Sequence, residues 1–536
     1  MKFDCHYQPY PSNRYTTIAK NGMVATSQQL AASAGLEMLK KGGNAVDAAI
    51  ATAACLTVVE PTSNGIGGDA FAFVWIEEEK KLYGLNGSGY APKSMTAEAV
   101  KKRGYQKMPM FGWETVTVPG VPAAWAALSK RFGKLPFEET MKPAVSYARE
   151  GFPVSVVVAD YWKIAQRRLE ENCSREVLTE WYRTFMPQGN APETGQVVTF
   201  PDHGDTLEEI GVTSATSFYQ GNIAKKIAES SKKNNGFLSA DDLANYEVKW
   251  VDPIKVNYRG YDICEIPPNG QGLVALMALN ILKGFDFEDR EHTETYHKQF
   301  EAMKLAFADG KKYITDPDYM PYTCDELLSD AYAQERRKLI GTEAQDFRAG
   351  KPDPSGTVYL CTADEGGNMV SFIQSNYLSF GSGVVIEGTG IALQNRGADF
   401  SLDKADHNYL EPNKRTYHTI IPGFIMKEGQ AVGPFGVMGA YMQPQGHVQV
   451  VMNMIDFQLN PQMAMDALRW QWMEGKKFTV EPGFPFHTFQ DLEKKGHEMK
   501  YEPMTLLFGK GQIILKQDGV YYGGTESRSD GAVCSY

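Results

Sequence analysis

The sequence predicts an α+β protein, a layered α/β/β/α sandwich whose two strand-rich parts lie far apart in the chain. Three observations predict it. Strand patterns cluster near the start and again after residue 357, with helical patterns between them. Gly43–Leu56 reads as a helix made almost wholly of small residues, which permits close backbone packing and implies burial between layers. Thr357–Asp364 and Met369–Ser375 read as two strands joined by the turn Glu365-Gly366-Gly367-Asn368, a hairpin that begins abruptly at a threonine.

The elements follow in order. Met23–Ser27 reads as a short strand, and Gln28–Lys41 as a helix stopped by Gly42-Gly43. The small-residue helix comes next and ends at Val58-Val59-Glu60-Pro61. Gly65-Ile66-Gly67-Gly68 then turns into the strand Ala72–Ile76. Those glycines precede a strand, and no Lys-Ser/Thr follows them, so a phosphate-binding loop is excluded. They read as a tight turn near a buried site. Glu77–Lys81 is a charged hairpin tip, and Leu82–Asn86 returns as a strand. Val116–Pro122 reads as an irregular strand end before a helix, Ala123–Phe132.

From Pro136 to about Trp250 helical patterns alternate with loops, as in an outer helical layer. Pro267-Pro268-Asn269-Gly270-Gln271-Gly272 leads into the apolar helix Leu273–Leu282. Helices around Tyr296–Phe307 and Asp325–Leu339 precede a loop of poor structure-formers that runs from Arg348 to Gly356. Beyond the hairpin, Phe380-Gly381-Ser382-Gly383 turns into a further strand, and one loop carries both Arg396 and Asp399. Gly433–Ala440 reads as a turn. Helices at about His447–Met454 and Pro461–Gln471 are followed by closing strands.

Composition bounds the function. A chain of 536 residues with 43% hydrophobic and 22% charged residues is an ordinary globular protein that needs no disulfide staples. Its net charge of −11 and the lack of any dense Lys/Arg tract argue against nucleic acid and anionic membranes as partners. Seven scattered cysteines, none in a C-x-x-C pair, suit a reducing compartment. The N-terminus, Met1–Tyr7, has no apolar core of a signal peptide, and no run approaches the ~18 apolar residues of a membrane span. A cytoplasmic protein is expected. No H-x-x-x-H spacing occurs among the nine histidines, so neither a catalytic metal nor a cofactor is expected. Cys361 reads as a core residue.

The head of the hairpin carries the chemistry. Gly356 has no Cβ and leaves its carbonyl open to the Thr357 hydroxyl. Breaking the Gly356–Thr357 bond would make Thr357 an N-terminal residue with its α-amine beside its own hydroxyl. An α-amine has a pKa near ~8, so a useful neutral fraction can act as base at pH 7. A lone Gly-Thr pair is also what a plain turn looks like.

The wider pattern resembles the γ-glutamyltransferase family of N-terminal-nucleophile hydrolases, including its cephalosporin-acylase-like members. The resemblance covers nearly the whole chain. It rests on Gly43-Asn44-Ala45-Val46-Asp47-Ala48-Ala49 with Glu60-Pro61 and Gly65-Ile66-Gly67-Gly68, on Thr357, on Phe380-Gly381-Ser382-Gly383, on Asp399-Phe400-Ser401, and on Asp466-Ala467-Leu468-Arg469-Trp470. It implies a four-layer αββα sandwich made as a precursor and cut before Thr357. The products would be a large subunit, 1–356, and a small subunit, 357–536, which together form one domain. A homo-oligomer is left open.

The resemblance also implies roles. Thr357 is the nucleophile and, through its amine, the base, and Ser375 is a second hydroxyl that supports it. The family's oxyanion donors come from a paired-glycine turn, Gly-Ser/Thr-Pro-Gly-Gly, which falls here on Gly439 and Ala440. At the substrate end the match weakens. The family's carboxylate-binding arginine is replaced by Ser88, and its paired serines by His418 and Thr419. Asp399 stands where the family binds the substrate ammonium. Tyr377 replaces an asparagine, and Arg396 sits where it could meet a carboxylate or pair with Asp399. His418 reads as a structural hydrogen-bonder rather than a base. The expected activity is that of an amidohydrolase or acyltransferase that cleaves a small-molecule amide through an acyl-threonine, released to water or to an acceptor amine, with γ-glutamyl amides of the glutathione type as the family default. The alternatives are a glutaryl (cephalosporin) acylase and a silent, uncleaved relative.

Overall fold

Strand Asp69–Ile76 shows why the chain stacks in layers. Phe71, Phe73 and Trp75 point one way, Ala70, Ala72 and Val74 the other, and all six are fully buried. The aromatic face enters a core between two sheets, and the small face enters a core beneath helices. Burial of each aromatic contributes roughly 2–3 kcal/mol. A one-residue slip would exchange the aromatics for alanines, so the register is fixed. Strand Gly356–Ala363 repeats the pattern, with Tyr359 and Cys361 between the sheets and Val358 and Leu360 beneath the helices.

A computed structural model describes residues 14–347 and 356–536. The Met1–Tyr7 reading and the loop from Arg348 to Ser355 lie outside the described residues. Two seven-stranded antiparallel sheets face each other. The first runs in spatial order Ala532–Ser535, Met23–Thr26, Gly356–Ala363, Met369–Tyr377, Asp69–Ile76, Lys81–Gly87, Lys249–Val251. The second runs Thr17–Ala19, Val520–Thr525, Lys510–Gln517, Gln430–Met438, Gly423–Lys427, Tyr261–Glu265, Ile254–Tyr258. Helices Gln29–Lys40 and Ala45–Val59 cover the first sheet, and Gly272–Leu282, Thr293–Tyr313 and Met442–Ile455 cover the second. The αββα sandwich expected from the sequence is the fold.

Helix Ala45–Val59 is buried along all fifteen residues, as its composition requires. Asn44 and Asp47 form a reciprocal cap at its start. Asp364 accepts the Ala45 N–H at 2.9 Å, and Thr362 Oγ1 donates to the Ala45 carbonyl at 2.7 Å. The helix start is thereby fastened to the far end of the strand that Thr357 heads.

Several elements differ from the sequence reading. Val116–Gly120 is not a strand: the Val118 N–H meets the Tyr90 carbonyl and the Gly120 N–H meets that of Gly68. The following helix begins earlier, at Val121, because Pro122 is compatible with a first helical turn. Gln430–Met438 is a nine-residue strand where glycine and proline suggested a turn. Gly436 serves sheet stacking there, since a Cβ would stand 2.5 Å from the Tyr359 ring on the facing sheet. The second late helix stops at Asp466, and Trp470–Glu474 forms a strand with Lys477–Val480. Asp325–Leu339 is two short helices, Cys324–Leu327 and Asp330–Arg337. The strands at 249–265, in the middle of the chain, were not anticipated.

Candidate active site

Thr357 lies on the second residue of a strand with partners on both sides, and is fully buried. The ladder with Met369–Tyr377 shifts register between Gly356 and Val358, a bulge at the position of the threonine. Thr357 Oγ1 stands 3.0 Å from Ser375 Oγ. Ser375 Oγ also accepts the Tyr377 N–H at 2.8 Å, which holds Tyr377 at a φ of +74°. The glycine turn that precedes strand Asp69–Ile76 backs this point: a Cβ on Gly68 would stand 2.5 Å from the Ser375 carbonyl oxygen. The same turn holds the approach to the next loop, with the Gln394 N–H on the Gly67 carbonyl.

That loop carries Arg396–Asp399 as one turn of 3₁₀ helix. Tyr377 Oη donates to Asp399 Oδ1 at 2.7 Å, and Arg396 Nη1 reaches Asp399 Oδ2 at 3.2 Å. Arg396 Nη1 also donates to Thr419 Oγ1 at 2.8 Å, and its guanidinium lies 4.1 Å above the Tyr377 ring. The Thr419 carbonyl accepts Gln271 Nε2 at 2.5 Å, and the same amide donates to the Ala440 carbonyl at 2.7 Å. Tyr417 Oη donates to Gln271 Oε1 at 2.9 Å and so fixes which end of the amide points where. An unbroken set of contacts therefore runs from Thr357 through Ser375, Tyr377, Asp399, Arg396, Thr419 and Gln271 to Ala440.

The turn at the end of that path has unusual backbone. Gly439 has φ +141° and Ala440 φ +50°, and neither N–H has a backbone partner among the described residues. A Cβ on Gly439 would lie 3.1 Å from Gly509 Cα, so only glycine fits there, whereas an alanine is accommodated next to it. Two adjacent amides with no backbone acceptor suit a developing oxyanion.

Ser88 and His418 belong to an adjoining buried cluster. Ser88 Oγ donates to Asn86 Oδ1 at 2.6 Å, and the Ser88 carbonyl accepts Arg415 Nε at 3.1 Å. His418 Nε2 meets Asp69 Oδ2 at 3.0 Å, and Asp69 Oδ1 accepts the Gly89 N–H at 2.9 Å. Asp69 is the ladder partner of Ser375. Burial raises the Asp69 carboxyl to about 7, against the opposing charges of Arg396 and Arg415. Burial, then the Arg396 charge, push the His418 imidazole well below its ordinary range, so it is neutral, and because its Nδ1 accepts the Ile420 N–H at 3.4 Å its Nε2 is left to donate to Asp69. Asp399 is also raised by burial, opposed by Arg396 and the Tyr377 bond.

Sequence reasoning did not single out Gln271, Tyr417, Asp69, Lys311 or Tyr441. A cleft of about 250 Å³ reaches Asp399 between Lys311, Tyr417, Tyr441 and Asn408. The Lys311 ammonium lies 4.6 Å above the Tyr441 ring, and burial lowers its pKa to about 8 while Asp399 opposes the fall. The run at 267–272 was visible as a loop, but nothing local shows that Gln271 reaches two other strand ends. Far from this site, His297, Glu301 and His497 lie close enough to hold a metal, a grouping hidden from spacing rules because the histidines are 200 residues apart. Lys304 sits 2.5 Å from Glu301, and the histidines bond each other at 2.8 Å, which accounts for the cluster without a metal. Among the described residues no helix is long and apolar enough to cross a membrane.

Two facing antiparallel sheets between helical layers, with a threonine at the head of an inner strand, define a sandwich of the N-terminal-nucleophile hydrolase type. The chain belongs to the gamma-glutamyltranspeptidase family, whose model matches residues 31–536. The glutathione hydrolase-like YwrD proenzyme of Bacillus subtilis (strain 168) is 36% identical over 530 residues, covering 96% of this chain and 99% of that protein. The acylase ACY 1 proenzyme of Pseudomonas sp. (strain SE83) is 30% identical over 550 residues, covering 99% and 95%. The crystal structure of cephalosporin acylase from Bacillus halodurans is 56% identical, with a TM-score of 0.97 over 100% of this chain and 99% of that one.

Proposed function

We propose that the protein is a self-processing amidohydrolase that works through an acyl-threonine. The observation that carries this is the Thr357–Ser375 contact at the head of an inner strand, joined by side-chain and backbone bonds to the Gly439–Ala440 turn. In the precursor, Thr357 Oγ attacks the Gly356 carbonyl and the C–N bond breaks, which gives an ester and frees the Thr357 amine; water then hydrolyses the ester, freeing Oγ and leaving Gly356 with a carboxylate. The large subunit is then 1–356 and the small subunit 357–536. In turnover that amine takes the hydroxyl proton as Oγ attacks a substrate amide carbonyl, and returns it to the leaving amine. The Gly439 and Ala440 N–H groups hold the oxyanion, worth a few kcal/mol each in sites of this kind. Water then attacks the acyl ester and releases the acid.

The acyl group is anionic in this reading, because the buried Arg396 cation lies on the path between Thr357 and the Gly439–Ala440 turn. Two kinds of relative support different acids. The glutathione hydrolase-like relative, with Asp399 in place here, favours a γ-glutamyl amide, and the acylase relatives favour a glutaryl-type amide. Intact mass under denaturing conditions tests the whole reading. The expected result is two chains meeting at Gly356/Thr357 in the wild type and one chain in Thr357→Ala. A wild-type chain that stays whole after long incubation, with no Thr357-dependent amide cleavage, would return the assignment to a silent relative.

A further inference from the structure

We propose that Asp69 and His418 are positioning residues: they tie the strand of Ser375 to the loop that carries Gln271, and so set where the Gly439–Ala440 turn stands relative to Thr357. This rests on the amidohydrolase reading above and adds the pair that holds its two halves together. The tie can be followed bond by bond. Asp69 is the ladder partner of Ser375, whose hydroxyl meets Thr357. Asp69 Oδ2 accepts His418 Nε2 at 3.0 Å. The His418 main chain then grips the next loop twice: its N–H donates to the Asn269 carbonyl at 2.9 Å, and its carbonyl accepts the Gln271 N–H at 2.9 Å. The Gln271 side chain donates in turn to the Ala440 carbonyl at 2.7 Å. Asp69 opens a strand of the first sheet, and the loop with Asn269 and Gln271 follows strand Tyr261–Glu265 of the second, so the tie crosses between the sheets.

The chemistry of the cluster fits a strut and not a subsite. The sequence pattern places Ser88 and His418 among the substrate contacts, but their polar atoms are spent inside the cluster. Ser88 Oγ donates to Asn86 Oδ1, Asn86 Nδ2 donates to Asn269 Oδ1 at 2.9 Å, and Asn269 Nδ2 donates to the Thr416 carbonyl at 2.8 Å. Asn86 lies on strand Lys81–Gly87, so its bond to Asn269 is a second crossing between the sheets. All five side chains are buried, and none of them holds a buried polar atom without a partner among the described residues. The cleft that reaches Asp399 is lined by none of them. The Phe71 ring, centred 4.8 Å from the imidazole, keeps His418 in place. A closed network of this kind has no donor to spare for a substrate, whereas removing one member leaves its neighbours buried and unanswered.

Two chromogenic amides with one leaving group, glutaryl- and γ-glutamyl-p-nitroanilide, let kcat, KM and acyl preference be read together on the processed protein. His418→Phe keeps a ring against Phe71 and removes the donor to Asp69. It is expected to lower kcat at least about tenfold on each amide that the wild type cleaves, because a displaced oxyanion turn is felt only in the transition state. KM and the ratio between the two amides should stay within about twofold. His418→Gln, whose amide can still donate to Asp69, should recover most of the loss. Because the tie acts through Gln271, adding His418→Phe to Gln271→Ala should lower kcat little further than Gln271→Ala alone. Should His418→Phe fail to process, Asp69→Asn, which offers one oxygen to two N–H donors, decides by the same readings. A kcat within about twofold of the wild type, a loss confined to KM, a changed ratio between the amides, or additive losses in the double variant would overturn the inference. Each of those leaves the amidohydrolase reading standing while cleavage depends on Thr357. No Thr357-dependent cleavage by the wild type overturns both.

Discussion

Ser375→Ala removes an oxygen that meets both Thr357 Oγ1 and the Tyr377 N–H, and the consequences of losing these two contacts can be worked out separately. The first is Thr357 Oγ1 at 3.0 Å, the hydroxyl that attacks in the proposed reaction. Losing a bond that steadies that oxygen in the transition state costs about 1.4–2.8 kcal/mol, or about a 10- to 100-fold fall in kcat. The second is the Tyr377 N–H at 2.8 Å, which would be left buried without this acceptor, at about 1–3 kcal/mol. Tyr377 sits at φ +74°, a region that costs a side-chain-bearing residue about 1–3 kcal/mol and persists only where neighbours hold it. The variant should therefore melt lower as well as turn over more slowly. The assay is steady-state hydrolysis of a chromogenic amide by protein whose processing has been checked by mass, with kcat and KM resolved, beside a melting curve. Ser375→Thr, which restores the hydroxyl, should recover most of the loss. If Ser375→Ala kept kcat within about twofold of the wild type, or lost only KM, the threonine hydroxyl would not depend on this contact and the site would be misassigned.

Gly439→Ala places a Cβ 3.1 Å from Gly509 Cα at φ +141°, so kcat should fall at least tenfold and stability by about 1–3 kcal/mol. Ala440→Gly, at φ +50°, should keep its turnover, and paired kinetics and melts of the two variants check the contrast. Gln271→Ala cuts the amide that joins the Thr419 and Ala440 carbonyls and should cost about 1–3 kcal/mol of catalysis with substrate affinity little changed, read as kcat against KM. Asp69 sets a pH dependence of stability. Its folded pKa of about 7 lies above the ordinary 3.8, so the native state holds a proton across that window that the unfolded chain has lost. Its contribution is complete below pH 3.8 and disappears as pH rises through 7, with a slope of up to about 1.4 kcal/mol per pH unit. Melting curves from pH 5 to 8 should slope downward more in the wild type than in Asp69→Asn.

What was legible in the chain follows from how far apart the interacting residues are. The hairpin headed by Thr357 needs only a four-residue turn and two runs of strand-forming residues, and it stands where the pattern placed it. Helix Ala45–Val59 announces itself through its cap and its small residues. The strand Gln430–Met438 was hidden because glycine and proline signal a turn in isolation, and only the facing Tyr359 ring explains why Gly436 belongs in a strand. Among the strands at 249–265, Lys249–Val251 pairs with 84–86, too distant for a local pattern, whereas Ile254–Tyr258 and Tyr261–Glu265 pair with each other across Arg259-Gly260, a hairpin signal that the sequence reading passed over.

The site divides the same way. Thr357, Ser375 and Tyr377 are close in sequence and come together as a hairpin must, whereas Gln271 joins Thr419 and Ala440 across 148 and 169 residues. This separation has a mechanical meaning. Thr357, the proposed nucleophile, and the Gly439–Ala440 turn, the proposed oxyanion donor, stand at the ends of strands in different sheets, so neither sheet alone can set the distance between them. Arg396 and Gln271 bridge that gap, and each does so from a loop whose geometry is imposed by both sheets. Substitutions there should therefore alter turnover and acyl preference together, while substitutions in the strands that carry the hairpin should chiefly alter stability. Arg396 shows why residue identity alone was an incomplete guide. Its pairing with Asp399 was anticipated as one of two alternatives, and the structure realises that pairing while leaving Nε and Nη2 without a partner among the described residues, because a guanidinium has more donors than one carboxylate can use.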